Sequence, residues 1–172
     1  TAAVATAANV DMVSINAQLT YIQGGGTLDD WAHLKKYEKD NMEIKGIDDP
    51  NRVVFMGNSI TEGWLYFNKS FFIENPFINR GIGGQTTPQM LIRFKPDVVN
   101  LNPKAVVILA GINDIAGNTG PVTIENIAEN IFSMAEIALA NNIHVFICSV
   151  LPAADFPWSP GKNPAEKVIE LN

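Results

Sequence analysis

The chain has 172 residues, of which 47% are hydrophobic and 17% charged, a composition typical of one globular domain and not of a disordered segment. Its 12 Lys and Arg against 18 Asp and Glu give a net charge of -6, which argues against binding to the phosphate backbone of nucleic acids. The apolar runs are much shorter than the roughly 20 residues that cross a bilayer. We therefore expect a soluble domain without a membrane span and without nucleic acid as a partner.

Residues 1–27 are predicted to be an extension that precedes the folded domain. They begin TAAVATAA, which fits the remnant of a processed signal but lacks the basic start and long apolar stretch of an intact one. Two locations stay open, secreted or periplasmic in a bacterium, and cytoplasmic. Cys148 is the single cysteine, so an internal disulfide is excluded, and its apolar neighbours predict a position in a buried strand.

The first predicted element is an amphipathic leader helix over residues 28–45. Four apolar residues recur there at three-residue steps, with lysines and acids between them: Leu28, Trp31, Leu34 and Tyr37. We expect this helix to pack across an α/β body formed by residues 52–172, so that residues 28–172 make up one domain.

From residue 52 onward, short apolar strands alternate with helices. Strands are predicted over residues 52–56, 76–80, 105–110 and 143–150. Helices are predicted from about Thr61, from about Thr87, over residues 124–140 and near Pro164. Continuous apolar strands separated by helices are covered on both faces, so the expected fold is α/β: a three-layer α/β/α sandwich with a parallel, flavodoxin-like sheet over residues 52–172.

Three loops follow the first three strands and contain the candidate catalytic residues. Ser59 directly follows the first strand in GNSITEG, where a helix begins and backbone N–H groups favour negative charge. Gly84 follows the second strand and lets a backbone N–H approach a substrate closely. Asn113 follows the third and has a side-chain amide that can donate to the same oxygen. The carboxyl ends of parallel strands meet at one edge, so we predict a nucleophile beside an oxyanion hole.

Each motif also permits a simpler interpretation. Ser59 and Glu62 have the spacing of a helix capping box. The GIGG sequence at residues 81–84 resembles part of a phosphate-binding loop, although it lacks the later glycine of that motif. The combination of all three loops in this order favours the catalytic interpretation over either alternative.

The segments GNSITEG, INRGIGGQT and AGIND resemble the first three sequence blocks of the SGNH hydrolases, also called the GDSL esterase/lipase family. The similarity extends over residues 52–118, and the DWAHLKKY segment is similar to the leader of some bacterial members. It implies Ser59 as the nucleophile, with Gly84 and Asn113 completing the oxyanion hole. Asn58 stands where the family usually has an aspartate.

Three further residues are candidates for substrate contacts: Asn58, Trp64 and Asp114. Trp64 follows the nucleophile loop closely, and we expect it to form part of an acyl pocket or of the core. Asp114 is alternatively interpreted as a turn residue without a role in binding. The aromatic residues after Trp64 are interpreted as core or pocket wall: Tyr66, Phe67, Phe71 and Phe72.

The resemblance is incomplete in one respect, because the family supplies its catalytic histidine from a D-x-x-H block that has no counterpart near the end of this chain. His144 is predicted at the amino end of the fourth strand, away from Ser59, and His33 on a solvated face of the leader helix. Neither is expected to act as the base. We expect the domain to be incomplete at its carboxyl end, with the histidine and its aspartate beyond residue 172 or in a companion fragment of the same protein.

The predicted function is hydrolysis of carboxylic esters through an acyl-enzyme on Ser59. The similarity to bacterial members with the leader implies short acyl groups, with acetyl groups on a carbohydrate as one candidate substrate. No metal or other cofactor is expected. The alternative is a domain that binds a carbohydrate or acyl ligand without catalysis.

Overall fold

The computed structural model describes residues 29–172, which contain a four-stranded parallel sheet in the order β2-β1-β3-β4. The strands are β1 (Val53–Gly57), β2 (Phe77–Gly81), β3 (Ala105–Leu109) and β4 (His144–Ile147). Val53 is in register with Phe77 on one side and with Ala105 on the other. The predicted parallel, flavodoxin-like sheet is confirmed.

Seven helices surround this sheet within residues 29–172. Their bounds are α1 (Glu38–Ile44), α2 (Ser59–Phe67), α3 (Lys69–Ile73), α4 (Thr87–Asp97), α5 (Ile112–Ala116), α6 (Ile124–Ala140) and α7 (Ala165–Leu171). A short 3₁₀ helix covers Val99–Leu101. The helices predicted near Thr87, at 124–140 and after Pro164 are confirmed, and α2 starts two residues earlier than predicted. None of the helices in this range combines the length and apolar character needed to cross a membrane.

The sheet is covered on both faces because the side chains of β1 alternate between two packing environments. Val54 and Met56 are fully buried in a core that α4 and α6 complete, with Phe94 and Met134 among its members. Phe55 points the other way and meets the aromatic rings of α2, α3 and β2 at centroid distances of 5.4 to 5.6 Å. This alternation gives the predicted three-layer α/β/α sandwich.

The predicted leader helix is correct only in its second half. Residues 29–37 form hydrogen-bonded turns, and the helix α1 begins at Glu38. The side chain of Asp30 accepts hydrogen bonds from the backbone N–H groups of Leu34 and Lys35 at 2.8 and 3.0 Å, which favours a turn over a continuous helix. His33 has a φ of 58°, a left-handed conformation that a helix cannot contain. The remaining predicted position, Leu28, and the predicted extension 1–27 lie outside the described residues.

The prediction that Cys148 lies in a buried strand is wrong. Cys148 is exposed, as are Phe146 and Ile147 in β4. The physical reason is the position of β4 at the edge of the sheet: it pairs with β3, and no described strand pairs with its other side. The apolar sequence of this segment predicts a strand, but it does not predict how much of the strand is buried by its neighbours.

Candidate active site

Ser59 is exposed at the first position of α2, directly beyond the carboxyl end of β1. The helix is capped by the preceding residue, since Asn58 Oδ1 accepts the N–H of Ile60 at 3.0 Å. The capping-box interpretation of Ser59 with Glu62 is therefore wrong, because Glu62 accepts instead from the N–H of Gly83 at 2.7 Å. The Ser59 hydroxyl makes no hydrogen bond to any other residue of the 29–172 range.

The glycine loop after β2 lies against this serine. A Cβ built on Gly83 would be 3.8 Å from Cβ of Ser59. Gly84 has a φ of +76°, which only glycine adopts readily, and its carbonyl accepts from Asn118 Nδ2 at 2.9 Å. The Gly84 N–H has no acceptor among the described residues, as an oxyanion donor requires.

Asn113 connects the third loop to the second. It is 3% exposed, and its Nδ2 donates to the carbonyl oxygen of Gln85 at 2.9 Å. An amide nitrogen has two hydrogens, so this bond orients the group and leaves a second donor. The structure thus brings the loops with Ser59, Gly84 and Asn113 together at the carboxyl edge of the sheet, as expected from the strand order.

Asp114 is buried beneath this site and is more than a turn residue. Its two carboxylate oxygens each accept the Thr87 N–H at 3.0 Å, and Oδ1 also accepts from Thr87 Oγ1 at 2.6 Å. Asn130 Nδ2 donates to the same hydroxyl at 3.1 Å. Burial raises the pKa of Asp114 to about 6 despite the hydrogen bonds from Thr87, which favour the ionised form. Asp114 therefore fixes the start of α4 next to the glycine loop.

A buried arginine supports the loops, and the sequence analysis did not identify it. Arg93 in α4 is fully buried and donates to Gln85 Oε1 at 2.5 Å, to Asp97 Oδ2 at 2.9 Å and to the Gly57 carbonyl at 3.1 Å. It thereby joins the end of β1 to the glycine loop. Burial lowers the pKa of Arg93, and the charge of Asp97 opposes that effect. The i, i+4 spacing of Arg93 and Asp97, with the apolar Met90 and Phe94 beside them, was the available sequence signal.

A cavity of about 200 Å³ opens beside the nucleophile loop. It is lined by Asn58 and Ile60 from the first loop, by residues 109, 110 and 112 near the third, and by residues 150–153, 155, 156 and 158 after β4. Asn58 is fully buried, and its Nδ2 has no hydrogen-bond partner within residues 29–172. Apart from Asn58 and Asp155, this lining is apolar, as a site for an acyl group would be.

Trp64 does not line this cavity. Its ring stacks on Phe71 at a centroid distance of 4.7 Å and meets Phe72 edge-on at 5.8 Å, on the face of the sheet covered by α2. Phe71 and Phe72 thus belong to an aromatic cluster, as predicted, whereas Tyr66 and Phe67 are 80% and 93% exposed. The expectation that Trp64 contacts substrate stays a prediction.

Neither histidine is hydrogen-bonded to Ser59. His144 is the first residue of β4 and is exposed at the amino edge of the sheet, as predicted. The predicted position of His33 on a solvated helix face is wrong, because His33 lies in the left-handed turn before α1 and its Nδ1 is buried without a partner in the described part of the chain. Over the same 144 residues, from 29 to 172, no cluster of three metal-binding side chains occurs.

The sequence and the fold are both similar to those of known proteins. Residues 55–172 match the GDSL-like lipase/acylhydrolase family. A crystal structure of a Bacteroides fragilis protein named as an acylhydrolase is 50% identical, with a TM-score of 0.80, and the alignment covers 83% of this chain and 69% of that one. A GDSL-like lipase of Bacteroides thetaiotaomicron is 49% identical with a TM-score of 0.79, over 82% of this chain and 70% of that one. The fold and the family match together place the chain among the α/β acylhydrolases, and it belongs to the GDSL-like lipase/acylhydrolase family.

The chain is also similar to an uncharacterised lipoprotein of Bacillus subtilis, YqeF. The two are 33% identical over 127 residues, which cover 64% of this chain and 51% of YqeF. The chain thus aligns with about half the length of that curated relative and with about seven tenths of the two Bacteroides structures.

Proposed function

We propose that this protein hydrolyses carboxylic esters through a covalent acyl-enzyme on Ser59. The observation that supports the proposal most directly is the contact between Ser59 and the glycine loop, where a Cβ on Gly83 would be 3.8 Å from Ser59 Cβ. A nucleophile is useful only where donors for the developing oxyanion lie within reach of the same carbonyl. The donors proposed for this oxyanion are the N–H groups of Ser59 and Gly84 and the side-chain amide of Asn113.

In the proposed reaction, Ser59 Oγ attacks the ester carbonyl while a general base removes its proton. The carbonyl oxygen becomes an oxyanion held by Gly84 and Asn113, and the C–O bond to the alcohol breaks as that alcohol receives the proton. Water then attacks the acyl-enzyme in the same way and releases the acid and free Ser59. The proton balance needs no metal and no redox partner.

We assign the general base to a histidine beyond residue 172, with an aspartate there that orients it. This assignment is supported by the positions of the two histidines in the chain, because neither His33 nor His144 is hydrogen-bonded to Ser59. A companion carboxyl-terminal fragment could supply these residues as well as a continuous chain. Denaturing mass spectrometry of the folded sample distinguishes a single species of 18.7 kDa from a longer chain or a second fragment.

The proposed substrates have short acyl groups, and acetyl esters of carbohydrates are the first candidates. The volume of about 200 Å³ beside Asn58 supports the short chain length, since sites for drug-sized ligands usually enclose roughly 300 to 1,000 Å³. A panel of p-nitrophenyl esters from acetyl to octanoyl tests this proposal. We expect kcat/KM to fall as the acyl chain grows beyond butyryl.

The experiment that tests the function compares the full-length protein with its Ser59→Ala variant in ester hydrolysis and in labelling by a fluorophosphonate. Ser70→Ala is the matched control, because Ser70 is an exposed serine in the neighbouring helix α3 whose hydroxyl bonds to Asn68. We expect Ser59→Ala to abolish both signals and Ser70→Ala to change neither. Turnover retained by Ser59→Ala would overturn the assignment. Saturable binding of an acetylated sugar without turnover or labelling would favour the binding function instead.

A further inference from the structure

Glu62 connects the proposed nucleophile helix to the glycine loop. It is three residues after Ser59 in α2, and its Oε2 accepts the Gly83 N–H at 2.7 Å. Its other oxygen, Oε1, is paired with Nζ of Lys36 from the leader segment, which we define as residues 29–44. The two side chains are 27% and 29% exposed, so the pair is only partly shielded from water.

This contact holds one side of the peptide that carries a proposed oxyanion donor. The Gly83 N–H is fixed by Glu62, and the Gly84 carbonyl is fixed by Asn118 Nδ2 at 2.9 Å. The peptide group between these two anchors contains the N–H of Gly84. Glycines have many accessible conformations, so this N–H keeps a constant direction only if its neighbours are held.

A carboxylate at this place also creates an electrostatic conflict. An oxyanion that develops next to Ser59 would be repelled by a negative charge three residues away on the same helix. The ammonium group of Lys36 cancels that charge, because it lies directly on the second carboxylate oxygen. Glu62 can therefore hold the loop without opposing the reaction as long as Lys36 is present.

The leader segment holds the same loop at two more points. The Tyr37 hydroxyl donates to the Gly81 carbonyl, and burial raises the pKa of Tyr37 to about 12, so the hydroxyl keeps its proton. Gln85 Nε2 donates to the Ala32 carbonyl at 2.8 Å. The leader thus contacts the loop at its beginning, through Glu62 at its middle, and at its end.

We propose that Glu62 is a positioning residue for the oxyanion loop and that Lys36, on the leader segment, neutralises it. This inference rests on the proposed function and assigns a catalytic purpose to the leader segment. Neither residue touches the substrate. Glu62 acts through the Gly83 N–H, and Lys36 acts through the charge of Glu62.

The test measures kcat and KM of the full-length protein with p-nitrophenyl acetate. We expect Glu62→Ala to lower kcat by roughly 10-fold to 100-fold and to change KM by less than about 2-fold. A Gly84 N–H that points in the wrong direction weakens the stabilisation of the transition state more than the binding of the substrate. Glu62→Gln should recover most of this loss, since its amide oxygen can still accept the Gly83 N–H.

The decisive variant is Lys36→Met, which leaves the Glu62 charge uncompensated and should lower kcat by roughly 10-fold. Adding Glu62→Gln to Lys36→Met should raise kcat again, because the repelling charge is then absent. A merely structural ion pair predicts no such recovery. Lys39→Met is the control: Lys39 lies on the same leader segment in an exposed pair with Glu43 at 3.9 Å, and kcat should not change.

Hydrogen exchange gives a readout that is independent of turnover. The Gly83 amide should exchange slowly in the wild type and in Glu62→Gln, and faster in Glu62→Ala. If the wild type shows no Ser59-dependent hydrolysis, the proposed function fails and this inference fails with it. If the wild type is active but Glu62→Ala keeps full kcat, or if Lys36→Met is not improved by Glu62→Gln, only the inference is overturned.

Discussion

The side-chain amide of Asn113 donates to the backbone carbonyl of Gln85 at 2.9 Å. This single bond joins the loop after β3 to the loop after β2. It orients an amide that is 3% exposed, so its second hydrogen has a defined direction at the carboxyl edge of the sheet. Preorganised donors of this kind stabilise an oxyanion without the cost of reorienting during the reaction.

Asn113→Ala should therefore lower kcat by roughly 10²-fold to 10³-fold with little change in KM, the range typical for the loss of one oxyanion donor. Steady-state hydrolysis of p-nitrophenyl acetate by the full-length protein measures both constants. Asn126→Ala is the control, since Asn126 is an exposed amide in α6 that pairs with Glu129. An unchanged kcat in Asn113→Ala would remove this residue from the proposed oxyanion hole.

Helix capping predicts a loss of stability for only one of the two neighbouring residues of the nucleophile loop. Asn58 Oδ1 caps α2 through the Ile60 N–H at 3.0 Å, so Asn58→Ala should lower the free energy of unfolding by about 1 kcal/mol. Ser59→Ala should stay within about 0.5 kcal/mol of the wild type, because the Ser59 side chain makes no cap. Urea unfolding followed by circular dichroism compares them. A larger loss for Ser59→Ala would contradict the assignment of Asn58 as the cap.

The raised pKa of Asp114 predicts a pH-dependent stability with a definite sign. Its folded pKa of about 6 lies above 3.8, the ordinary pKa of an aspartate in an unfolded chain, so the folded state binds more protons between these values. Stability from this group is therefore present at low pH and is lost as pH rises from about 4 to about 6, by an amount on the order of 2 to 3 kcal/mol.

Asp114→Asn isolates this effect, since the amide oxygen can still accept from Thr87 but does not titrate. Urea unfolding of both proteins from pH 4 to pH 7 gives the difference in their free energies of unfolding. The free energy of unfolding of the wild type should fall relative to that of Asp114→Asn as pH rises. A constant difference across this range would show that Asp114 has the same pKa in both states.

The buried pair of Arg93 and Asp97 should contribute strongly to the free energy of unfolding of the domain. Arg93→Ala leaves Asp97 buried without its cation and removes one of the hydrogen bonds to the Gly57 carbonyl, which should cost roughly 3 to 5 kcal/mol of unfolding free energy. Lys39→Ala provides the exposed comparison, because the pair of Lys39 with Glu43 is at 3.9 Å and should contribute less than about 1 kcal/mol. Urea midpoints measure both. A small loss for Arg93→Ala would mean that water replaces its hydrogen bonds.

Much of the fold was predictable because it depends on local periodicity. The apolar runs around Val54, Ile78 and Val106 identified β1, β2 and β3. The segments between these strands are long enough to contain a helix, as a crossover between parallel strands requires. The turns of residues 29–37 were missed, because the apolar residues keep a helical spacing while Asp30 hydrogen-bonds to the backbone and stops the helix. The spacing of apolar residues does not show whether a side chain competes with the helix for backbone hydrogen bonds.

The candidate site was also predictable from the sequence only in part. The sequence by itself determined the types of chemical group and their places at strand ends: a serine after β1, glycines after β2 and an amide after β3. Only the tertiary structure decided their partners. It decided that Asn58 and not Ser59 caps α2, that Glu62 holds Gly83, and that Arg93 joins two loops. The contacts of Glu62 with Gly83 and of Arg93 with Gly57 link residues that are distant in sequence, and their energies depend on burial and direction, which no local pattern specifies.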